Sequence, residues 1–207
     1  MYTGIYFLIE AIVYSMLLMT VYFRKKVFKS KENKVYSILV VVSFFELIVE
    51  LILNFVGPMY KEIPNVSYFV ARLFSFGVEL WITILLCYVL FVCLSIKKKE
   101  RYIPVVRNIA VVLMIVFTTL NFILPINFKY DGYIAYTYGP SVNIIYLSAF
   151  LYSFIGIIAL IRNIKNIKDK RFFPILIFLI VGGIASYIQY MNPGLLLATP
   201  IHAFITF

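Results

Sequence analysis

Apolar residues in this chain come in long runs, separated by short stretches that contain charges, proline or glycine. Most runs reach the ~20 residues that a helix needs to cross a hydrocarbon core of ~30 Å. The pattern predicts an all-α bundle of seven transmembrane helices in one membrane-embedded domain. Their expected bounds are 2–23, 35–57, 66–96, 105–125, 141–161, 172–191 and 194–207.

Two of these segments differ from a simple span. The third is longer than a bilayer requires, so we expect it to tilt or to extend beyond the membrane. The seventh is still apolar at Phe207. From this we expect a truncation before a cytoplasmic output domain.

Composition agrees with the pattern, because 63% of the residues are hydrophobic and 14% are charged. Soluble proteins average roughly 45–50% apolar and about 25% charged. The first segment has no basic residue before it and no small-residue cleavage site after it, which predicts an uncleaved helix. The chain is expected to be a multi-pass membrane protein.

Basic residues predict the orientation. Sixteen of the nineteen Lys and Arg residues fall in the connections 24–34, 97–107 and 162–171. Cytoplasmic loops are enriched in Lys and Arg, so we expect the N-terminus outside and the C-terminus in the cytoplasm. The net charge of +10 then indicates contact with anionic lipids of the bilayer rather than with nucleic acid.

The outer connection "NFKYDGYIAYTYGPS" is rich in tyrosine, and its Asp-Gly pair predicts a small hairpin. Its aromatic side chains could form a belt at headgroup level or a lid that contacts a ligand. The candidates for ligand contact are Tyr130, Asp131, Tyr133, Tyr136 and Tyr138.

The stretch "SFFELIVELILNF" places Glu46 and Glu50 one turn apart within the second segment. Glu50 is expected ~10 Å below the outer surface, and Arg72 of the third segment at ~9 Å. Since an unpaired charge at such depth costs ~2.5–3.5 kcal/mol or more, we expect a Glu50–Arg72 ion pair.

Three further polar residues occupy the outer half of the membrane segments, so one cavity could bring six residues together. Four carboxyl groups with one guanidinium and one imidazole cannot all be ionised and dry, so some should be protonated or water must enter. Their intramembrane position favours a functional role for Glu46 and Glu79. For each residue a structural role, such as clamping two helices, stays open. The candidates for ligand or signal sensing are Glu46, Glu50, Arg72, Glu79, Glu10 and His202.

Several kinds of site are disfavoured. The chain has one histidine, no H-E-x-x-H motif and no glycine-rich phosphate loop, so we expect no metal site, no cofactor and no catalytic residue. Segment seven contains no lysine for a Schiff base. Cys87 and Cys93 fall on different faces of one helix and are expected to be small apolar residues of the bundle.

The stretches "IASYIQYMNPGLLLATPIHAFITF" and "YGPSVN" resemble the seven-helix N-terminal sensor region of bacterial histidine kinases from low-GC organisms. The resemblance implies a signal-input module in the bacterial plasma membrane, an unidentified ligand, and a downstream cytoplasmic kinase that forms a homodimer. The H-E-x-x-[TS]-P phosphoacceptor motif and the ATP-binding boxes are absent from these 207 residues. The alternatives are a small transporter or channel that uses intramembrane carboxylates, and an accessory membrane subunit.

Overall fold

The computed structural model describes residues 3–24, 31–96, 102–130, 135–163, 172–195 and 197–206. Within them a 3₁₀ turn (Gly57–Met59) follows the second helix, and strands β1 (Asn127–Tyr130) and β2 (Ala135–Tyr138) precede the fifth. The predicted all-α fold with seven helices is confirmed. The helices are α1 (Thr3–Arg24), α2 (Lys31–Val56), α3 (Pro64–Ile96), α4 (Tyr102–Ile123), α5 (Pro140–Arg162), α6 (Phe172–Met191) and α7 (Ala198–Thr206).

Five of the described helices are long and apolar enough to cross a bilayer, and α6 contributes a shorter apolar stretch, Ile175–Met191. A multi-pass membrane protein is therefore supported. The nine described residues of α7 would cover only ~14 Å. As the sequence predicts for the third segment, α3 with 33 residues is longer than a bilayer requires, since it extends ~50 Å.

Helix α3 is the centre of the bundle, because it packs against α2, α4 and α5. Among the five long helices it has the largest buried share, whereas α1 and α4 have the smallest. Its stretch from Trp81 to Cys93 supplies about half of the buried residues of the main core, with Tyr152 of α5 and Phe178 of α6 packed against it. Helices α1 and α4 therefore form the periphery, where an apolar surface suits lipid.

The predicted hairpin is confirmed: β1 and β2 pair antiparallel from Asn127 opposite Tyr138 to Tyr130 opposite Ala135. Its expected Asp-Gly turn lies outside the described residues. Phe128 is buried between Tyr60 and Tyr68, with ring centroids 5.5 and 5.3 Å away. The hairpin thus packs over the connection between α2 and α3.

Gly139 alone joins β2 to α5. Its φ of +115° lies in the region that favours glycine, and a Cβ there would lie 3.2 Å from both the Pro125 oxygen and the Asn127 Nδ2. This tight connection fixes the hairpin directly over the start of α5.

Candidate functional site

A cavity of about 510 Å³ lies between α2, α3, α5, α6 and α7, with β2 at one end. Small-molecule sites are usually clefts of roughly 300–1,000 Å³ with mostly apolar walls and a few polar groups. Here the apolar wall includes Phe74, Val78, Ile82, Leu147, Phe150 and Leu179. The cavity therefore has the size and character of a ligand site.

Two carboxyl groups from α2 face this cavity. Glu46 and Glu50 line it and are only 1% and 2% exposed. Both carboxyl oxygens of Glu46 and Oε2 of Glu50 have no hydrogen-bond partner. The Thr199 hydroxyl of α7 lies beside both carboxyl groups and can donate to one of them at a time. The site thus contains buried acceptors with unused capacity.

The local sequence explains why α2 points both acids at the cavity. A spacing of four residues puts them on one helix face. Leu47 packs into a cluster with α1 and α7, and Val49 into a cluster with α3 and the hairpin. On α3, a Cβ at Gly77 would come 3.9 Å from the Glu46 Cγ. Leu47 and Val49 therefore lie on faces of α2 that pack against neighbouring elements, and the acids lie on the face that borders the cavity.

His202 of α7 lines the same cavity and links three helices. Its ring stacks on Trp81 of α3 with centroids 4.3 Å apart and an interplanar angle of 10°. Its Nε2 lies 3.2 Å from the Ser186 hydroxyl and 3.5 Å from the Gly182 oxygen on α6. Its Nδ1 is buried without a partner. A change in the cavity would therefore act on α3, α6 and α7 together.

Helix α7 is fixed at both ends by side chains from its neighbours. Gln189 Oε1 of α6 accepts hydrogen bonds from the backbone N–H groups of Leu197 and Ala198, at 3.0 and 2.6 Å. These donors have no partner within a helix at its N-terminus. At the other end, the Tyr36 hydroxyl of α2 donates to the Thr206 carbonyl. Between these anchors lie the cavity-lining residues of α7.

Arg72 does not meet Glu50, so the predicted ion pair is wrong. Its guanidinium donates to the carbonyl oxygens of Asn121 and Leu124, at the end of α4, where carbonyls lack intrahelical partners. Asn121 Nδ2 donates back to the Arg72 carbonyl at 3.3 Å. The two residues were matched by depth, but depth does not fix direction around a helix axis. The Arg72 side chain faces α4.

The other two acids also lie away from the cavity, so the expected meeting of six residues is wrong. Glu79 is fully buried, accepts a hydrogen bond from Ser148 of α5, and lies near Tyr152. Glu10 is exposed on α1. Of the six candidates the cavity brings together Glu46, Glu50 and His202, because α3 turns its two charged residues toward α4 and α5.

The hairpin tyrosines divide between the two expected positions. Tyr136 lines the cavity, whereas Tyr130 and Tyr138 are each 47% exposed. Asp131 and Tyr133 lie outside the described residues. Tyr136 therefore borders the site, and Tyr130 and Tyr138 present their aromatic rings at the surface.

Sequence reasoning missed several residues of the site. Thr199 lies three residues before His202, a spacing that puts both on one face of α7, and this signal could have identified it. Trp81 and Gln189 carried no such signal, because their roles depend on which helices become neighbours.

Neither the protein families nor the curated proteins compared with this chain match it. Within the described residues, no group of three or more His, Cys, Asp or Glu side chains is arranged to hold a metal ion. Cys87 and Cys93 are not in a disulfide. The functional assignment therefore depends on the cavity itself.

Proposed function

We propose that this chain is the membrane-embedded signal-input module of a bacterial two-component sensor histidine kinase. A ligand or membrane condition acts on the cavity, and the change reaches a downstream cytoplasmic kinase through α7. The observation that supports this proposal is the cavity of about 510 Å³ that holds the unpartnered acids of α2 and has α7 as one wall.

The proposed orientation places the hairpin outside and the basic connections in the cytoplasm of a bacterial plasma membrane. Arg24, Lys34, Arg107 and Arg162 lie at or near helix ends on the side of the bundle opposite the hairpin. Excess Lys and Arg marks cytoplasmic loops, and these cations would contact anionic headgroups. The cavity, bordered by β2, then lies toward the outer half of the membrane.

Signal transfer requires an occupant that interacts differently with two arrangements of the helices. The cavity satisfies this requirement in part, because its polar groups come from different elements: Glu46 and Glu50 from α2, Thr199 and His202 from α7. A group bound between them would change the position of α7 relative to α2. The bond from Tyr36 to Thr206 connects the same two helices at the opposite end.

Autophosphorylation of the full-length gene product in lipid vesicles tests this function. Glu46→Gln and Glu50→Gln keep the side-chain shape and remove the charge, so we expect normal insertion with an altered autophosphorylation level. Glu10→Gln is the matched control, because that residue is exposed on α1. Autophosphorylation equal to the parent in both cavity variants, or no kinase activity at all, would contradict the proposal.

The same unpartnered acids would suit a small transporter that carries protons or cations. Vesicles containing the protein separate the two functions. Cation or proton uptake that Glu46→Gln abolishes, without any phosphorylation, would select the transporter.

A further inference from the structure

The cavity contains buried acids but no Lys or Arg among the described residues that line it. Its two ionisable acids, Glu46 and Glu50, are buried, and three of their four carboxyl oxygens lack hydrogen-bond partners. Buried acceptors without donors cost free energy unless a partner satisfies them. A cation that also donates hydrogen bonds would be such a partner.

The rest of the cavity is suited to hydrocarbon. Its apolar wall includes Val78, Ile82 and Leu179, and aromatic rings from α5 and α6 extend it. A ring face attracts a cation and an apolar body alike. A ligand that satisfies both parts would have a single charged head and an apolar body.

The exposed side chains of the cavity show where such a ligand would enter. Phe150 of α5 and Tyr187 of α6 line the cavity and are 72% and 65% exposed. Gly183 of α6, one turn before Tyr187, also lines it, and a Cβ there would meet nothing within 4 Å. The open side therefore lies between α5 and α6. In a spanning bundle this side faces lipid, from which an amphipathic molecule can enter laterally.

We propose that the cavity binds a small amphipathic cation, with a primary amine or similar monocation between Glu46 and Glu50 and an apolar body against α3, α5 and α6. This inference names the ligand class of the site and rests on the proposed input function. The cation supplies the donors that the carboxyl oxygens lack. The apolar body replaces lipid or water along the wall.

The chain contains its own reporter for binding. Trp81 is the single tryptophan, lies in the cavity wall and is 2% exposed. A brominated ligand quenches tryptophan fluorescence on contact. We suggest 4-bromophenethylamine as the probe and 4-bromophenethyl alcohol as its uncharged match, titrated into the protein in phosphatidylcholine vesicles.

The amine should quench Trp81 saturably, with half-quenching at least about tenfold lower in concentration than for the alcohol, the usual effect of one charge-assisted contact. In the double variant Glu46→Gln with Glu50→Gln, the amine and the alcohol should reach half-quenching at the same concentration. In Glu10→Gln the tenfold difference should remain. Gly183→Phe fills the open side, so the quenching that remains in that variant measures probe dissolved in lipid and is subtracted.

Equal quenching by amine and alcohol in the parent, after that subtraction, would overturn the inference without any need for the acid variants. If that result coincided with autophosphorylation that still depends on Glu46, the ligand class would be wrong and the input function would stand. If the amine bound selectively but Glu46→Gln left autophosphorylation unchanged, the binding site would stand and the input function would be wrong.

Discussion

Arg72→Leu tests the clamp between α3 and α4 that the structure shows in place of an ion pair. The guanidinium donates to two carbonyls at the end of α4. Hydrogen bonds from charged groups contribute about 1.5–3 kcal/mol each, and the side chain is only half-buried, so water recovers part of the loss. We expect a decrease of about 2–3 kcal/mol in the free energy of unfolding.

The partner of the guanidinium is identified by a double-mutant cycle with Glu50→Gln. Because Glu50 does not contact Arg72, the two effects should add within about 0.5 kcal/mol. Reversible unfolding in mixed detergent micelles measures each free energy. Arg72→Lys keeps the charge but not the forked arrangement of donors. Its free energy of unfolding should therefore decrease by about half as much as that of Arg72→Leu. A loss on Arg72→Leu that disappears in the Glu50→Gln background would refute this reasoning and restore the ion pair.

Three further predictions follow from other parts of the chain. Gly139→Ala should reduce stability by about 1–3 kcal/mol because of its positive φ and the contacts at 3.2 Å, whereas Gly194→Ala, with no atom near its Cβ, should leave the melting temperature nearly unchanged. Phe128→Ala removes the ring that packs on Tyr60 and Tyr68, so protease should cleave the hairpin faster than in the parent; equal rates would contradict that packing. In a variant without native cysteines, a cysteine at exposed Lys34 should react only from the cytoplasm and one at exposed Lys129 only from outside; the reverse would overturn the orientation.

The helices and the hairpin were predictable because their signals are local. A run of apolar residues specifies a helix wherever its neighbours lie, and the Tyr-rich loop with its Asp-Gly pair specifies a hairpin. The bounds of α6, Phe172–Met191, agree with the predicted segment. The seventh segment was predicted from its composition. Three described residues at its start, Gly194, Leu195 and Leu197, lie before α7 begins at Ala198, and Gln189 Oε1 accepts hydrogen bonds from the backbone N–H groups of Leu197 and Ala198.

The site was only partly predictable, because depth along a helix is a local property and direction around its axis is not. The spacing of Glu46 and Glu50 correctly placed both on one face, and His202 was found as a lone polar residue. Arg72 and Glu79 were assigned to the same cavity by depth, yet Arg72 bonds to the end of α4 and Glu79 bonds to α5. Which helix lies beside which is decided by packing across the whole bundle, and no short stretch of sequence contains that information.

The central claim, that the state of the cavity controls a kinase, is tested most directly by filling the cavity. Gly183→Phe places a ring in open space at the cavity wall, and Gly194→Phe adds the same ring at an open position that does not line the cavity. Autophosphorylation of the full-length protein in vesicles is the measurement. The account predicts that Gly183→Phe fixes autophosphorylation at one level regardless of added amine, while Gly194→Phe behaves like the parent. Equal autophosphorylation and equal amine response in the parent and both variants would contradict the account.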